Sequence, residues 1–74
     1  MRLTVKLFAT YREGRFEIAE MERPDGSTVG SILDDLAIPL VDLGFVLVQG
    51  RHAELDSQPP PGATVSIFPK VGGG

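Results

Sequence analysis

The sequence contains no cysteine, so neither a disulfide framework nor a thiolate metal site can support the fold. It also has no apolar run approaching the roughly 20 residues that a membrane-spanning helix needs. The N-terminal segment MRLTVKLF alternates between apolar and polar residues, whereas the core of a signal peptide is a continuous apolar run. We therefore expect a soluble, cytoplasmic protein. Its core must come from the hydrophobic residues, 42% of the chain, an ordinary share for a globular domain.

Clustered positive charge is absent as well. Lys and Arg together number 7 against 10 Asp and Glu, for a net charge of −3, and no basic cluster offers a footprint for nucleic-acid phosphates. His52 follows a turn and has no catalytic or metal-ligating partner at a suggestive spacing, which favours an ordinary surface residue. The sequence thus predicts no catalytic machinery, no bound cofactor and no metal.

Two alternating segments open the chain. In residues 2–8, Leu3, Val5 and Leu7 share one face of a predicted strand, and Thr4, Lys6 and Phe8 share the other. The segment RFEIAEME alternates again through Phe16, Ile18 and Met21, with Ala19 out of phase. Together they predict an antiparallel hairpin with a long or irregular turn. Pro24 and the Asp25-Gly26 pair end the second strand.

A single helix of about ten residues is predicted in the segment STVGSILDDLAI. Ser27 or Thr28 can cap its N-terminus. One apolar stripe runs along it, with the spacing i, i+3, i+4 and i+7, through Val29, Ile32, Leu33 and Leu36. Gly30 weakens the prediction because glycine costs about 1 kcal/mol relative to alanine inside a helix. Pro39 should end the helix near Ala37 or Ile38.

The second half of the chain reads as strands. FVLVQGRHAEL predicts a strand, a turn at Gln49-Gly50-Arg51 and a short return strand, and PPPGA is a rigid connector. TVSIF is the last strand, with Val65 and Ile67 inward. A mixed sheet packed on one main helix, an α+β fold, buries both apolar faces. The first and last strands have the strongest alternation, so we place them side by side at the sheet centre. If they are parallel, Phe8 and Phe68 are neighbours on the face away from the helix.

Four segments carry a resemblance to a known family: VKLFATYRE, DGSTVGSILDDL, VLVQGRHAEL and GATVSIFPKVGGG. In this order and over essentially the whole chain, the sequence resembles the MoaD/ThiS-type sulfur carriers, which have a ubiquitin-like β-grasp fold. These are the small subunit of molybdopterin synthase and the carrier of the thiamine pathway. The resemblance implies a single β-grasp domain over residues 1–74, with a flexible tail over residues 70–74.

The resemblance also implies a chemistry at the terminal carboxylate of Gly74. An E1-like adenylyltransferase would use ATP to join AMP to that carboxylate, and sulfur would displace AMP to leave a thiocarboxylate. Gly72 and Gly73 would form the tail that enters the enzyme. The sulfur would be consumed by a synthase, either the large subunit of molybdopterin synthase or thiazole synthase. The carrier itself would bind no cofactor, since ATP belongs to its partner.

Large apolar residues on the polar phase of two strands are candidates for partner binding. Phe8 and Phe68 form either a small second cluster covered by a loop or a docking patch at the tail base, together with Pro69, Lys70 and Val71. Phe45 and Leu47 would extend the patch if Val46 and Val48 point inward. Arg12 and Arg51 are expected to be ordinary surface charges.

Three functions remain open on the sequence. FPKVGGG is similar to the FPPV-Gly-Gly ending of the molybdopterin synthase small subunit, although Lys70 replaces a proline and a third glycine is added. This ending favours the molybdopterin branch over the thiamine branch. The same adenylation could instead serve a protein modifier that is conjugated to lysines through Gly74. A non-covalent interaction domain with an inert tail is the third alternative.

Overall fold

The computed structural model describes residues 1–70, and these form five strands and one α-helix. The strands are β1 (Arg2–Leu7), β2 (Ile18–Glu22), β3 (Leu43–Val48), β4 (Arg51–Ala53) and β5 (Thr64–Pro69), and the helix is α1 (Val29–Asp35). Two short 3-10 turns lie at Ala9–Arg12 and Leu40–Asp42. Within these residues no helix is long and apolar enough to cross a membrane. The predicted tail residues Val71, Gly72, Gly73 and Gly74 lie outside the described residues.

The sheet has the strand order β2-β1-β5-β3-β4. β1 and β5 are parallel, whereas the other neighbouring pairs are antiparallel. The predicted mixed sheet, with the first and last strands side by side, is therefore confirmed. In the parallel register Leu7 lies opposite Ile67, so both strands run toward the same end of the sheet.

The core lies between the helix and one face of the sheet. It contains the predicted helical residues Val29, Ile32 and Leu33, together with inward-facing strand residues that are fully buried: Leu3, Val5, Leu7, Val65 and Ile67. Leu36, the fourth member of the predicted stripe, packs against this core but is only partly buried. The strand phases of β1 and β5 and the helical face are thus confirmed.

The N-terminus of α1 is capped by Thr28, one of the two predicted residues. The Thr28 hydroxyl accepts a hydrogen bond from the Ser31 backbone N–H at 3.1 Å, and the Ser31 hydroxyl accepts one from the Thr28 N–H at 3.1 Å. Gly30 has a packing reason to be glycine, because an added Cβ would lie 3.3 Å from the Leu55 carbonyl oxygen. The Gly30 N–H donates to that same oxygen at 2.9 Å.

The C-terminus of α1 comes earlier than predicted. The helix ends at Asp35 and has seven residues, where about ten were expected with an end near Ala37 or Ile38. Ala37 takes a left-handed conformation with φ +56°. The N–H of Ile38 then donates to the Leu33 carbonyl and that of Ala37 to the Asp34 carbonyl, both at 3.0 Å. These are the two bonds of a Schellman motif, and they stop the helix before Pro39 is reached.

The predicted phase of β2 is wrong at Ile18. Pairing with β1 places Ala19 opposite Val5 and Met21 opposite Leu3, and both Ala19 and Met21 are partly buried. Ile18 lies opposite Lys6 on the other face and is 54% exposed. Phe16 precedes the strand and packs partly against the core. Because the register with β1 decides which face is buried, the apolar spacing within β2 alone gave the wrong face.

β3 begins two residues before the predicted FVLV segment and contains a β-bulge. Leu43 pairs with Pro69 and Phe45 pairs with Phe68, so Gly44 is an extra residue on β3. Because of this extra residue, Leu43 packs against the core while Phe45 is exposed. Val46 is buried and Val48 packs partly against the core, as predicted.

Candidate functional site

Three phenylalanine rings form a row across the sheet face that points away from the helix. We call Phe8, Phe68 and Phe45 the aromatic row. The centroids of Phe8 and Phe68 are 4.1 Å apart with an interplanar angle of 10°, and those of Phe68 and Phe45 are 4.4 Å apart at 15°. The predicted proximity of Phe8 and Phe68 is confirmed, and it follows from the parallel register of β1 and β5. Phe45 joins them because it lies directly opposite Phe68.

A polar side chain borders each end of the aromatic row. The guanidinium carbon of Arg12 lies 5.6 Å from the Phe8 centroid, a cation–π distance. The His52 ring lies 5.3 Å from that of Phe45, tilted by 43°. Both side chains are exposed, as expected for surface residues. Their contacts with the row were missed because both were expected to be ordinary surface residues. The Arg12 contact depends on the 3-10 turn that follows Phe8, and the His52 contact on the pairing of β3 with β4.

A second row lies beside the aromatic row on the same open face. The strand registers place its members opposite one another in the order Ile18, Lys6, Ser66, Leu47 and His52. Leu47 thus lies where the sequence predicted. Ile18 was missed because it was assigned to the wrong phase. Exposed aromatic and aliphatic side chains grouped in this way are typical of a protein–protein contact surface.

The aromatic row borders a shallow groove that reaches the base of the predicted tail. The groove has a volume of about 420 Å³ and is lined by Phe8, Ala9, Thr10, Phe45, Phe68, Pro69 and Lys70. Phe8 and Phe68 are partly buried, and Phe45 is 37% exposed. The apolar surface and the residues from which the tail departs are therefore contiguous, which brings four of the predicted partner-binding residues together: Phe8, Phe68, Pro69 and Lys70.

A polar groove flanks the tail base on its other side. Its lining includes Tyr11, Arg15 and Asp42, along with Pro69 and Lys70. Tyr11 is 5% exposed, and its hydroxyl has no hydrogen-bond partner within residues 1–70. Burial raises the pKa of the Tyr11 phenol; the Asp42 carboxylate raises it further, and Arg15 opposes both. Tyr11 was not anticipated as a core residue, because it lies in the irregular connection between β1 and β2.

Among residues 1–70 no three His, Asp or Glu side chains are grouped so that they could hold a metal ion. Residues 1–70 do, however, fix the point where the tail departs. The Lys70 N–H donates to the Asp42 carbonyl oxygen at 2.9 Å, so the end of β5 is tied to the Leu40–Asp42 turn. The aromatic row and the groove beside it present apolar side chains that can bind another protein.

A helix packed on one face of a mixed sheet, with the parallel strands β1 and β5 side by side, is the arrangement of the ubiquitin-like β-grasp proteins. The family model described as ThiS family matches residues 5–74. The chain therefore belongs to the ThiS family of small sulfur carriers and modifiers. A search of curated proteins gives no significant match.

Solved structures agree with this assignment. The crystal structure of SAMP1 from Haloferax volcanii is 28% identical, covers 100% of both chains and has a TM-score of 0.78. The solution structure of the HVO 2177 protein, also from H. volcanii, is 31% identical and covers 100% of this chain and 87% of that one, with a TM-score of 0.77. A complex of subunits 1 and 2 of molybdopterin-converting factor from Helicobacter pylori matches 100% of both chains at 22% identity and a TM-score of 0.68. At that identity the last match supports the fold alone.

Proposed function

We propose that this protein is a sulfur carrier whose reactive group is the C-terminal carboxylate of Gly74. Membership of the ThiS family supports the proposal. The observation that carries it is the continuity between the aromatic row and the tail base, since the groove along the row ends at Pro69 and Lys70. A docking surface placed there would hold the body of the carrier while the following residues enter the active site of a partner.

The proposed chemistry has two steps. An E1-like adenylyltransferase transfers AMP from ATP to the Gly74 carboxylate, which releases pyrophosphate and gives the acyl group a good leaving group. Sulfide released by a donor then attacks the carbonyl carbon, the bond from that carbon to the AMP oxygen breaks, and AMP leaves, so that the carrier ends in a thiocarboxylate. Glycine suits this position because it has no Cβ to obstruct approach to the carbonyl carbon. The carrier acts as a co-substrate, and ATP is bound by the partner.

The length of the tail fits a carrier whose body binds outside the enzyme while its C-terminus enters the active site. The four residues from Val71 to Gly74 can span at most about 13–14 Å, at roughly 3.3–3.6 Å per residue. Ordering their backbone costs on the order of 1–2 kcal/mol per residue. Contacts between the carrier body and the enzyme must offset that cost, and a few large side chains buried at the centre of an interface provide most of its binding energy.

Charge at the rim of the aromatic row indicates what kind of surface the partner presents. Lys6, Arg12 and Lys70 lie around the row, in a chain whose net charge is −3. Arg12 is partly neutralised by Glu17, whose carboxylate is 3.7 Å away. A partner face with an apolar centre and carboxylates at its edge would complement this arrangement.

The proposed destination of the sulfur is a pterin precursor of molybdopterin, with the synthase large subunit as the second partner. The FPKV segment before the glycines supports this branch. The thiazole synthase of the thiamine pathway is the alternative acceptor within the same chemistry. Both reactions would take place in the cytoplasm.

A second function is favoured by the similarity to SAMP1, a small archaeal modifier protein that matches over its full length. In that case a lysine amine of another protein, in place of sulfur, would displace AMP from Gly74. The product would be an isopeptide bond. The two functions share the adenylation step and differ only in the nucleophile that follows.

Intact-mass measurement separates these outcomes. The purified chain is first weighed to establish that it ends at Gly74, and is then incubated with the E1-like enzyme of the same genome, ATP and a sulfide donor. A sulfur carrier gains the mass difference between one sulfur and one oxygen atom, and the gain disappears when ATP is omitted. A modifier gives conjugates with other proteins in a lysate supplemented with ATP. A chain that shows neither change would contradict the proposal.

A further inference from the structure

The bulge where β3 passes the end of β5 brings two backbones unusually close together. A Cβ built on Gly44 would lie 2.5 Å from the Pro69 carbonyl oxygen, 2.8 Å from the Pro69 carbonyl carbon and 2.9 Å from the Phe68 carbonyl oxygen. All three are backbone atoms, so no side-chain rotation could relieve the contact. Only glycine fits at this point without displacement of the strand that leads into the tail.

A hydrogen bond closes the same corner two residues earlier on the chain. The Asp42 carbonyl oxygen accepts from the Lys70 N–H at 2.9 Å, and Leu43 pairs with Pro69. The segment Asp42–Gly44 thus contacts each of the last two described residues. We call this segment and its contacts with Pro69 and Lys70 the exit clamp.

We propose that Gly44 is a positioning residue that sets the direction in which the tail leaves the body. The inference rests on the proposed function, in which Gly74 must reach a fixed point in the activating enzyme. Ordinary contacts of a Cβ begin at 3.4 Å, so an alanine at position 44 must move the Pro69 carbonyl by close to an ångström. A misplacement of about 1 Å can cost a hundredfold in the rate of a reaction that depends on alignment. Gly44 acts only through the backbone that it leaves room for.

The test is ATP–pyrophosphate exchange by the E1-like enzyme of the same genome, with the full-length chain as substrate. For Gly44→Ala we expect kcat to fall by about tenfold or more, while KM for the chain changes by less than about threefold. This split is expected because the aromatic row, which provides docking, remains. Gly50→Ala is the matched control. Gly50 lies in the β3–β4 turn, away from the exit clamp, and no atom lies within 4 Å of an added Cβ. Its φ of +80° strains an alanine, so the variant tests backbone strain without displacement of Pro69. It should exchange like the wild type.

A change of tail length distinguishes positioning from a general structural defect. Insertion of one glycine after Val71 gives the displaced tail more freedom, so it should restore part of the lost rate in Gly44→Ala. In the wild type the same insertion should lower the rate, because there the exit is already aligned. A defect in folding would not respond to tail length.

Hydrogen exchange tests the exit clamp even if Gly44→Ala does not fold. In the wild type the Lys70 amide should exchange at least about tenfold more slowly than an unprotected amide, because it donates to Asp42. In folded Gly44→Ala that protection should be lost, while amides of the core strands stay protected.

The inference would be overturned by any of three results: an unprotected Lys70 amide in the wild type, wild-type exchange kinetics in a folded Gly44→Ala, or no response of that variant to the inserted glycine. These results leave the sulfur-carrier proposal intact. Absence of exchange with the wild-type chain itself would instead remove both proposals.

Discussion

Two side chains of the β1–β2 connection, Tyr11 and Arg15, hold that connection against the rest of the molecule. Tyr11 lies in the 3-10 turn Ala9–Arg12 and is 5% exposed, yet its hydroxyl has no hydrogen-bond partner within residues 1–70. An unpaired buried hydroxyl costs free energy, whereas the ring contributes apolar packing. Arg15, four residues later, lies 5.9 Å above the same ring and donates to the carbonyl oxygens of Leu36 and Ala37. The β1–β2 connection is thereby fastened to the end of the helix.

The raised pKa of Tyr11 predicts a loss of stability at alkaline pH. Below its ordinary pKa of about 10, the phenol is neutral in both the folded and the unfolded chain. As pH rises above that value the unfolded chain ionises first, so the free energy of unfolding falls until the folded-state pKa is reached. Tyr11→Phe should remove this part of the pH dependence, and at neutral pH should change stability by less than about 1 kcal/mol.

Absorbance titration measures this directly, because the chain contains one tyrosine. The tyrosinate signal of the folded protein should have its midpoint above the ordinary value, and in denaturant the midpoint should return to it. A folded-state midpoint at or below the value in denaturant would contradict the assigned burial.

The sequence predicted the strands and the helix more accurately than the residues at which they begin and end. Alternation in β1 and β5 and the stripe of α1 were correct because these segments form the centre of the core, where burial dictates residue type. The edge strand β2 was assigned the wrong face at Ile18, because only its register with β1 determines which of its residues face the core. The helix end depended on the left-handed conformation of Ala37, and alanine carries no local signal for it.

The candidate site was also predicted only in part. Phe8 and Phe68 were expected to be neighbours on the condition that β1 and β5 are parallel, and the structure meets that condition. The contacts of Arg12 and His52 with the aromatic row could not be predicted. The first depends on the 3-10 turn after β1, and the second on side-chain placement across β3 and β4. The steric role of Gly44 depends on the close approach of two backbones, which no sequence pattern expresses.

The helix end offers a stabilising substitution. Ala37 is exposed and adopts φ +56°, a conformation that is costly for a residue with a Cβ. Ala37→Gly should raise the free energy of unfolding by about 0.5–1 kcal/mol, after allowance for the greater freedom of glycine in the unfolded chain. Denaturant unfolding measures the change. Ala53→Gly, in strand β4, is the control and should destabilise; a loss of stability in Ala37→Gly would contradict the assigned helix cap.

The aromatic row acts as a unit formed by three separate segments, and its central ring is Phe68. Phe68→Ala should weaken binding to the activating enzyme by about 1–3 kcal/mol, measured by calorimetric titration. The domain should stay folded, because the core lies between the helix and the sheet and Phe68 is not part of it.

Thr64→Ala provides the matched control for that substitution. Thr64 lies on the same strand and the same face, at the end remote from the tail. It should bind like the wild type. Equal loss of affinity in both variants, or unfolding of Phe68→Ala, would contradict the assignment of the aromatic row as the docking surface.

The whole chain divides into a body, which we propose binds the partner, and a tail, which we propose reacts. The body contributes the aromatic row and the exit clamp, both within residues 1–70, and the chemistry is assigned to a carboxylate four residues further on. Neither part suffices alone in this account. A body without the tail should bind the activating enzyme, and a tail of altered length should fail to react.

ATP–pyrophosphate exchange with chains altered at Gly74 shows whether the C-terminal carboxylate is the reactive group. Removal of Gly74 draws the carboxylate back by about 3.3–3.6 Å, while the shortened chain still ends in Gly-Gly. Gly74→Ala keeps the length and adds a Cβ beside the reacting carbon. Both chains should fold and bind like the wild type, and both should lose exchange by about a hundredfold or more. Exchange at the wild-type rate after removal of both Gly73 and Gly74 would show that the C-terminal carboxylate is not the reactive group.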